Sequence, residues 1–401
     1  MEMLIQKSLT LPCGSILKNR IAKSAMSENM AHDHAPGKEF VKAYSRWARG
    51  GTGLIISGNV MIDSRHLGEE NNVVIEKGRD NLNELKAWAN TSDNIWIQLN
   101  HPGKQTPKFL DKEPVAPSAI ALKPPLNKLF NTPKELSEEQ IQEIINRFSY
   151  AAQIVKECGF AGVQIHGAHG YLVSQFLSPR HNQRTDKWGQ DKMLFVTEVY
   201  KAIREKVGAQ FPVGIKMNSA DFSKGGFTLE ESTKVAKALS ELGMDLIEIS
   251  GGSYEKAAMM GVPIKESTKK REAYFIEYAK EIKKVVTCPL MVTGGFRTGE
   301  FMNECLSLGE VDMIGMGRPL CLDPDLSNKL LKGQKVESLV RPLTSGIKAL
   351  DKIFPLEIIW YTMQIHRMGK GLDPEPNAGV YKSIFKNALS MGLQSIKRVR
   401  A

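Results

Sequence analysis

The chain has 401 residues, with 54 Lys and Arg against 44 Asp and Glu and a formal charge of +10. With 42% hydrophobic and 24% charged residues it is neither intrinsically disordered nor built to lie inside a membrane. Its five cysteines (Cys13, Cys158, Cys288, Cys305 and Cys321) are too far apart for a CxxC metal knuckle or a disulfide framework, and suit a reducing compartment.

The first residues, MEMLIQKSLTLPCGSIL, lack the charged start and long apolar run of a secretory leader, so a cytoplasmic location is expected. No stretch approaches the roughly 18 apolar residues that span a bilayer, so no stable membrane insertion is expected. Short β-branched runs then alternate eight times with amphipathic helical patterns. The expected strands are residues 20–26, 53–59, 95–100, 162–166, 213–218, 246–250, 290–294 and 312–317. Runs such as GLIIS, LIEIS, LMVTG and DMIGM are apolar throughout, as strands of a parallel sheet covered on both faces are. Eight βα units predict an α/β fold, a closed (β/α)8 TIM barrel, with a helical C-terminal extension.

Seven of the 19 prolines fall between Pro102 and Pro133, which excludes a helix or central strand and predicts a long excursion over the barrel mouth after the third strand. Ser137 and Gln140 read as a capping box opening a helix, as do Thr228 and Glu231 ahead of a helix that Gly243 ends. Asp323 and Pro324 read as an N-cap and first helical position. The barrel is expected over residues 1–334 and a basic, mainly helical extension over 335–401, which carries eleven Lys or Arg against five Asp or Glu. No basic–aromatic interleaving marks it as a nucleic-acid surface. Its apolar segment, 353–365, suits packing on the barrel or a homo-oligomer contact.

Catalytic side chains of such barrels come from strand C-termini and the loops beyond them. There the chain places Ser24 to Ser27, Asn59, Gln98, His166 with His169, Lys216, Gly295, and Gly317 with Arg318. Glycines and an Arg on the last two strand ends suit a phosphate, because backbone N–H groups approach closely and a guanidinium grips with two donors. GMGRPL lacks the third glycine of a dinucleotide fingerprint, so no separate dinucleotide domain is expected. His166 and His169, with Tyr171 two residues on, offer two N–H donors for one substrate oxygen and a hydroxyl to deliver a proton. A metal reading of the two histidines lacks a third ligand, and no metal is expected.

The string HGAHGYLVSQFLSPRHNQRTDKWG closely resembles the defining segment of the Old Yellow Enzyme family of FMN-dependent NADH:flavin oxidoreductases, or ene-reductases. The resemblance runs from KNRIAKSAMS through GLIIS, IQLNHPGK and IKMN to GMGRPLCLDP, over roughly residues 1–330. It implies an FMN-holding barrel reduced by NADPH or NADH, with a small molecule bearing an activated C=C bond as substrate. By that resemblance Ser24, Ala25, Met26 and Ser27 lie beside the flavin ring, Asn59 is a further contact, and Gln98 meets the pyrimidine edge. Lys216 partners flavin N1 and O2, Gly317 and Arg318 clamp the phosphate with Gly295 beside them, His166 and His169 bind the substrate oxygen, and Tyr171 is the proton donor.

The chain departs from the family pattern at four points. Ser27 stands where Thr or Cys is usual, and Lys216, a point charge, where Arg is usual. Asn29 stands near a usual substrate-contacting Tyr, and the tail lacks the clustered cysteines and second nucleotide domain of larger dienoyl-CoA reductase relatives. The alternatives are a phosphate-binding aldolase or isomerase with Lys216 as Schiff-base amine, an FMN-dependent tRNA uridine reductase, and a non-catalytic flavin-holding scaffold.

Overall fold

The computed structural model describes residues 3–255, 273, 275–347, 356–383 and 385. Eight parallel strands form its centre: β1 (Ile21–Lys23), β2 (Leu54–Met61), β3 (Ile95–Asn100), β4 (Gly162–Gly167), β5 (Val213–Asn218), β6 (Leu246–Ser250), β7 (Leu290–Thr293) and β8 (Met313–Met316). β1 pairs with both β2 and β8, which closes the sheet into the expected barrel. Helices follow the first seven strands: α1 (Lys38–Arg49), α2 (Leu82–Ala89), α3 (Glu138–Glu157), α4 (Leu194–Val207), α5 (Leu229–Glu241), α6 (Ile276–Lys283) and α7 (Gly299–Ser307). Two short helices, Arg318–Leu322 and Leu326–Leu331, follow β8.

Strand alternation separates two cores. Residues facing out pack under the helices in one large cluster. Those facing in make a floor of Ala22, Leu54, Ile56, Trp96, Leu246, Met291 and Met313, sealed from below by Leu9, Leu11 and Leu17 of an N-terminal hairpin. Gly162 and Gly214 make room for the Trp96 ring, since a Cβ at either would lie 2.6 or 2.9 Å from it. Two residues further along each strand the inward positions become polar, with Ser24, Gln98, Gln164, Lys216, Glu248 and Thr293. Two further on they are Asn100, His166, Asn218 and Ser250. The barrel therefore grades from apolar floor to polar mouth.

Both capping boxes form, Ser137 with Gln140 and Thr228 with Glu231. The stretch after β3 holds only short 3-10 turns and a two-residue ladder, as its prolines require. Asp323 and Pro324 do not open a helix as expected; the helix begins at Leu326. The Asp323 carboxylate instead accepts from the Asp325 N–H and pairs with Lys329, leaving Pro324 in the preceding turn. A further helix, α8 (Leu356–Gly369), packs on α1 and the helix Arg318–Leu322, with Trp360, Tyr361, Ile365 and Met368 buried in the barrel's outer core. Residues 353–355 of the expected apolar segment, and everything after Phe385, lie outside the described residues. No helix among the described residues is long and apolar enough to cross a membrane.

Trp96 fills the centre of the floor at 1% exposure. Trp96→Ala is expected to lower stability by about 3–5 kcal/mol, read as a fall in the urea midpoint; an unchanged midpoint would contradict this account of the floor.

Candidate active site

The polar layer above the floor is linked by one open chain of hydrogen bonds. Gln98 Nε2 donates to Gln164 Oε1 at 2.7 Å, and Gln164 Nε2 donates to Glu248 Oε2 at 2.7 Å. Lys216 Nζ lies 3.0 Å from Glu248 Oε1, which also accepts from Thr293 Oγ1 at 2.6 Å. Thr293 in turn meets Ser24 Oγ at 2.6 Å. Glu248 is fully buried and Lys216 is 3% exposed. An unpaired charge here would be costly, so the two charges stand or fall together. Gly315 on β8 leaves room for the Thr293–Ser24 contact, since a Cβ there would lie 1.9 Å from Thr293 Oγ1.

Above this layer, β4 delivers the histidines. His166 Nδ1 accepts the Ala168 N–H at 3.3 Å, which puts the neutral ring's proton on Nε2. His169 takes a left-handed φ of 62°, pinned by its N–H to Asn218 Oδ1 at 3.0 Å, its carbonyl from Gln105 Nε2 at 2.9 Å, and Nε2 to Ser250 Oγ at 2.8 Å. The two rings are 5.2 Å apart, and the Tyr171 ring stands edge-on to His166 at 4.8 Å. Burial, then the Lys216 charge, pushes both imidazoles well below their ordinary value, so both are neutral N–H donors at pH 7. Burial, reinforced by Tyr254, holds the Tyr171 phenol well above its usual range and therefore protonated. The three expected catalytic residues thus converge at the mouth.

The loops around them divide the remaining expectations. Gly295 has φ +87°, a conformation glycine adopts freely, as does its neighbour Gly294 at +122°. Gly317 has a negative φ; its lack of Cβ is needed by Met26, whose Sδ would lie 2.8 Å from one. Met26 and Ala25 are partly buried, Ala25 against the floor. The Ser27 hydroxyl donates to the Glu69 carboxylate. Asn29 is not brought to the mouth by its amide: Oδ1 accepts the Asn71 N–H at 2.9 Å and clamps the loop. Arg318 Nη1 lies 3.1 Å from Glu357 of α8, so the expected phosphate grip already holds a carboxylate. Thr362 and His366 of the same helix donate to the carbonyls of Ser27 and Glu28, fastening α8 to the loop after β1.

Several site residues escaped the sequence reading. Glu248 was hidden inside the apolar run LIEIS, although one carboxylate in an otherwise apolar strand is itself a signal. Tyr254 Oη lies 2.9 Å from Tyr171 Oη, and burial pushes its phenol up to about 12. Gln105 couples His169 to Tyr254 and shows how the proline-rich excursion reaches the mouth. Glu28, buried, accepts from Tyr44 and from the Gly58 N–H at 2.8 Å, and faces Lys23 Nζ at 3.9 Å on the outer side of β1.

Asp63, His66 and His101 form one cluster that could be taken for a metal site. Against the cost of burial, the Arg65 guanidinium holds Asp63 down to about 2, and Arg147 lies beside it. His101 Nδ1 accepts the Gly103 N–H, which leaves Nε2 a donor. A carboxylate engaged by two guanidiniums and an imidazole with its proton toward the cluster are a poor cation donor set.

The mouth suits a flat, polar-edged group. Asn59 Oδ1 on β2 and both amide atoms of Asn100 on β3 are buried without hydrogen-bond partners among the described residues. FMN has the complementary parts, a donor–acceptor pyrimidine edge and a phosphate.

The neutral imidazoles give a direct test. Ring nitrogen NMR shifts of His166 and His169 are expected to stay those of neutral imidazole from pH 8 down to about 6, below the ordinary titration midpoint near 6.5. A midpoint near 6.5 for either ring would contradict the burial argument.

A family model described as the NADH:flavin oxidoreductase / NADH oxidase family matches residues 12–337. An NADH-dependent flavin oxidoreductase of Hypocrea jecorina is 34% identical over 359 residues, spanning 82% of this chain and 89% of its own length. An NADPH dehydrogenase of Clostridium acetobutylicum is 31% identical over 335 residues, spanning 80% of this chain and 93% of its own. The chain spans 48% of a longer NADH-dependent flavin oxidoreductase of a Neonectria strain. Among solved structures, the old yellow enzyme homologue from Zymomonas mobilis shares the fold at a TM-score of 0.70 and 22% identity, over 84% of this chain and 94% of that one. A 2-naphthoyl-CoA reductase complex does so at 0.80 and 24% identity, over 93% of this chain and 58% of that one. With the family model covering the barrel from below its floor to beyond its last strand, the chain belongs to the NADH:flavin oxidoreductase / NADH oxidase family, the Old Yellow Enzyme family.

Proposed function

We propose that the chain is an NAD(P)H-dependent FMN oxidoreductase that reduces the activated C=C bond of α,β-unsaturated carbonyl or nitro compounds. The observation that supports this reading is the convergence of two neutral imidazoles and a protonated phenol one step along the strands above the Lys216–Glu248 pair. When bound, FMN supplies hydride transfer, taken from the nicotinamide and passed to the substrate.

The chain's own residues divide the remaining work. Lys216 and Gln98 hold the pyrimidine edge, with Asn59 close by, and Ser24 to Ser27 line the ring. Gly295, Gly317 and Arg318 receive the phosphate, with Arg318 sharing its guanidinium with Glu357. His166 and His169 donate N–H groups to the substrate oxygen as negative charge grows there. Being neutral and fixed, they stabilise that charge without reorganising. Tyr171 delivers the proton to the carbon next to the carbonyl, and Tyr254 is placed to hold its hydroxyl in line.

An aldolase reading needs Lys216 as a free amine, whereas its Nζ is held by a buried carboxylate at 3.0 Å. The names of the similar proteins, among them morphinone reductase and a naphthoyl-CoA reductase, span unlike substrates, and the enone class rests on the motif resemblance and the donor geometry.

His169→Ala is expected to slow reoxidation of the reduced protein by cyclohexenone about 10²–10³-fold in stopped flow, with FMN still bound. An unchanged enone rate would overturn the oxyanion role.

A further inference from the structure

The inward-facing residues of the eight strands carry one cation, Lys216, and one anion, Glu248, 3.0 Å apart. The other lysine near this level, Lys23, points outward from β1; it donates to the Ile56 carbonyl at 2.9 Å, faces Glu28 and lies over the Trp47 ring at 4.5 Å. It is therefore not the counter-ion of Glu248. The Glu248 carboxylate accepts from Lys216, Thr293 and Gln164, so both oxygens are held and cannot swing away from the cation. With both groups buried, the pair is screened less than it would be in bulk water, and their fields partly offset each other at the mouth. The mouth above therefore meets this pair as a dipole with its positive end at Lys216, while the buried Glu69 carboxylate beside Ser27 is a separate acidic group near Tyr171 and Tyr254.

On the functional reading proposed above, we infer that Glu248 is a positioning residue that sets the reduction potential of the bound flavin by offsetting the charge Lys216 presents to it. Reduction adds negative charge to the pyrimidine edge of the flavin. A bare ammonium would stabilise that charge strongly. A carboxylate 3.0 Å from it offsets part of this stabilisation and keeps the reduced flavin readier to give up its hydride. The same carboxylate fixes Lys216 in place and makes its burial tolerable, so stability and potential depend on one contact. Thr293 meets this carboxylate from β7, and Gln164 links it to Gln98.

The midpoint potential of bound FMN, measured by dye-equilibrated reduction of the holoprotein, tests this. Glu248→Gln is expected to raise the two-electron equilibrium constant at least about tenfold, a rise of about 30 mV. Lys216→Met is expected to lower it by a comparable factor. Either single change leaves a lone buried charge that can compromise folding. The double variant Lys216→Met with Glu248→Gln removes both charges together, and its equilibrium constant is expected to lie between those of the two single variants. A fall of about tenfold or more in the double variant would show Lys216 acting as a bare cation and overturn the inference. An unmoved potential in Glu248→Gln with a full complement of FMN would overturn it too. A native chain that takes up no FMN would overturn the functional reading along with it, whereas a yellow native protein with unresponsive variants would overturn this inference alone.

Discussion

A buried ion pair between Lys216 and Glu248 is the contact on which the upper half of the barrel depends. Below it the interior is apolar, packed around Trp96 and closed by the N-terminal hairpin. Above it the inward positions of β3 to β6 are polar, Asn100, His166, Asn218 and Ser250. A lone Lys or Glu at that depth would be unstable, and the pair is tolerated because Gln164 and Thr293 satisfy the carboxylate from two further strands. Four strands are thereby tied at one level, and the side chains one step higher stand on a rigid base. The chemistry of the mouth inherits this rigidity: His166 and His169 are neutral because they are buried near the Lys216 charge, and neutral donors in fixed positions are what a developing oxyanion requires.

The barrel was legible because its signals are local and repeated. A fully buried parallel strand reads as a continuous apolar run, and all eight runs became strands in chain order. The capping boxes were legible for the same reason, since cap and partner lie three residues apart. His166, His169 and Tyr171 were legible because one strand end and its turn carry all three. Glu248 was not, because its partners come from three other strands and no single-strand pattern announces them. Tyr254 and Gln105 were missed likewise; each acts from a loop whose path over the mouth depends on the whole fold.

The expectations that fared less simply share a cause of their own. Ser27, Asn29 and Arg318 were assigned from strand ends and family resemblance, yet each side chain meets a partner that the sequence does not place nearby. Ser27 meets Glu69, Asn29 meets Asn71, and Arg318 meets Glu357 from beyond the barrel. The last of these ties the C-terminal helix to the site. Its Thr362 and His366 hold the loop after β1 while Glu357 holds Arg318, so the helix braces two loops at once. Asp323 shows the same limit on a smaller scale, because its carboxylate serves Lys329 where local pattern suggested a cap.

The central claim is that the barrel mouth above the ion pair is the flavin seat, with its pyrimidine edge toward Lys216 and its phosphate toward the ends of β7 and β8. A crystal structure of the FMN-loaded chain tests it most directly. The account predicts Lys216 Nζ and the Gln98 amide within hydrogen-bonding distance of the pyrimidine edge, and the phosphate among Gly295, Gly317 and Arg318. Isoalloxazine density lying elsewhere, or turned with its dimethylbenzene edge toward Lys216, would contradict it.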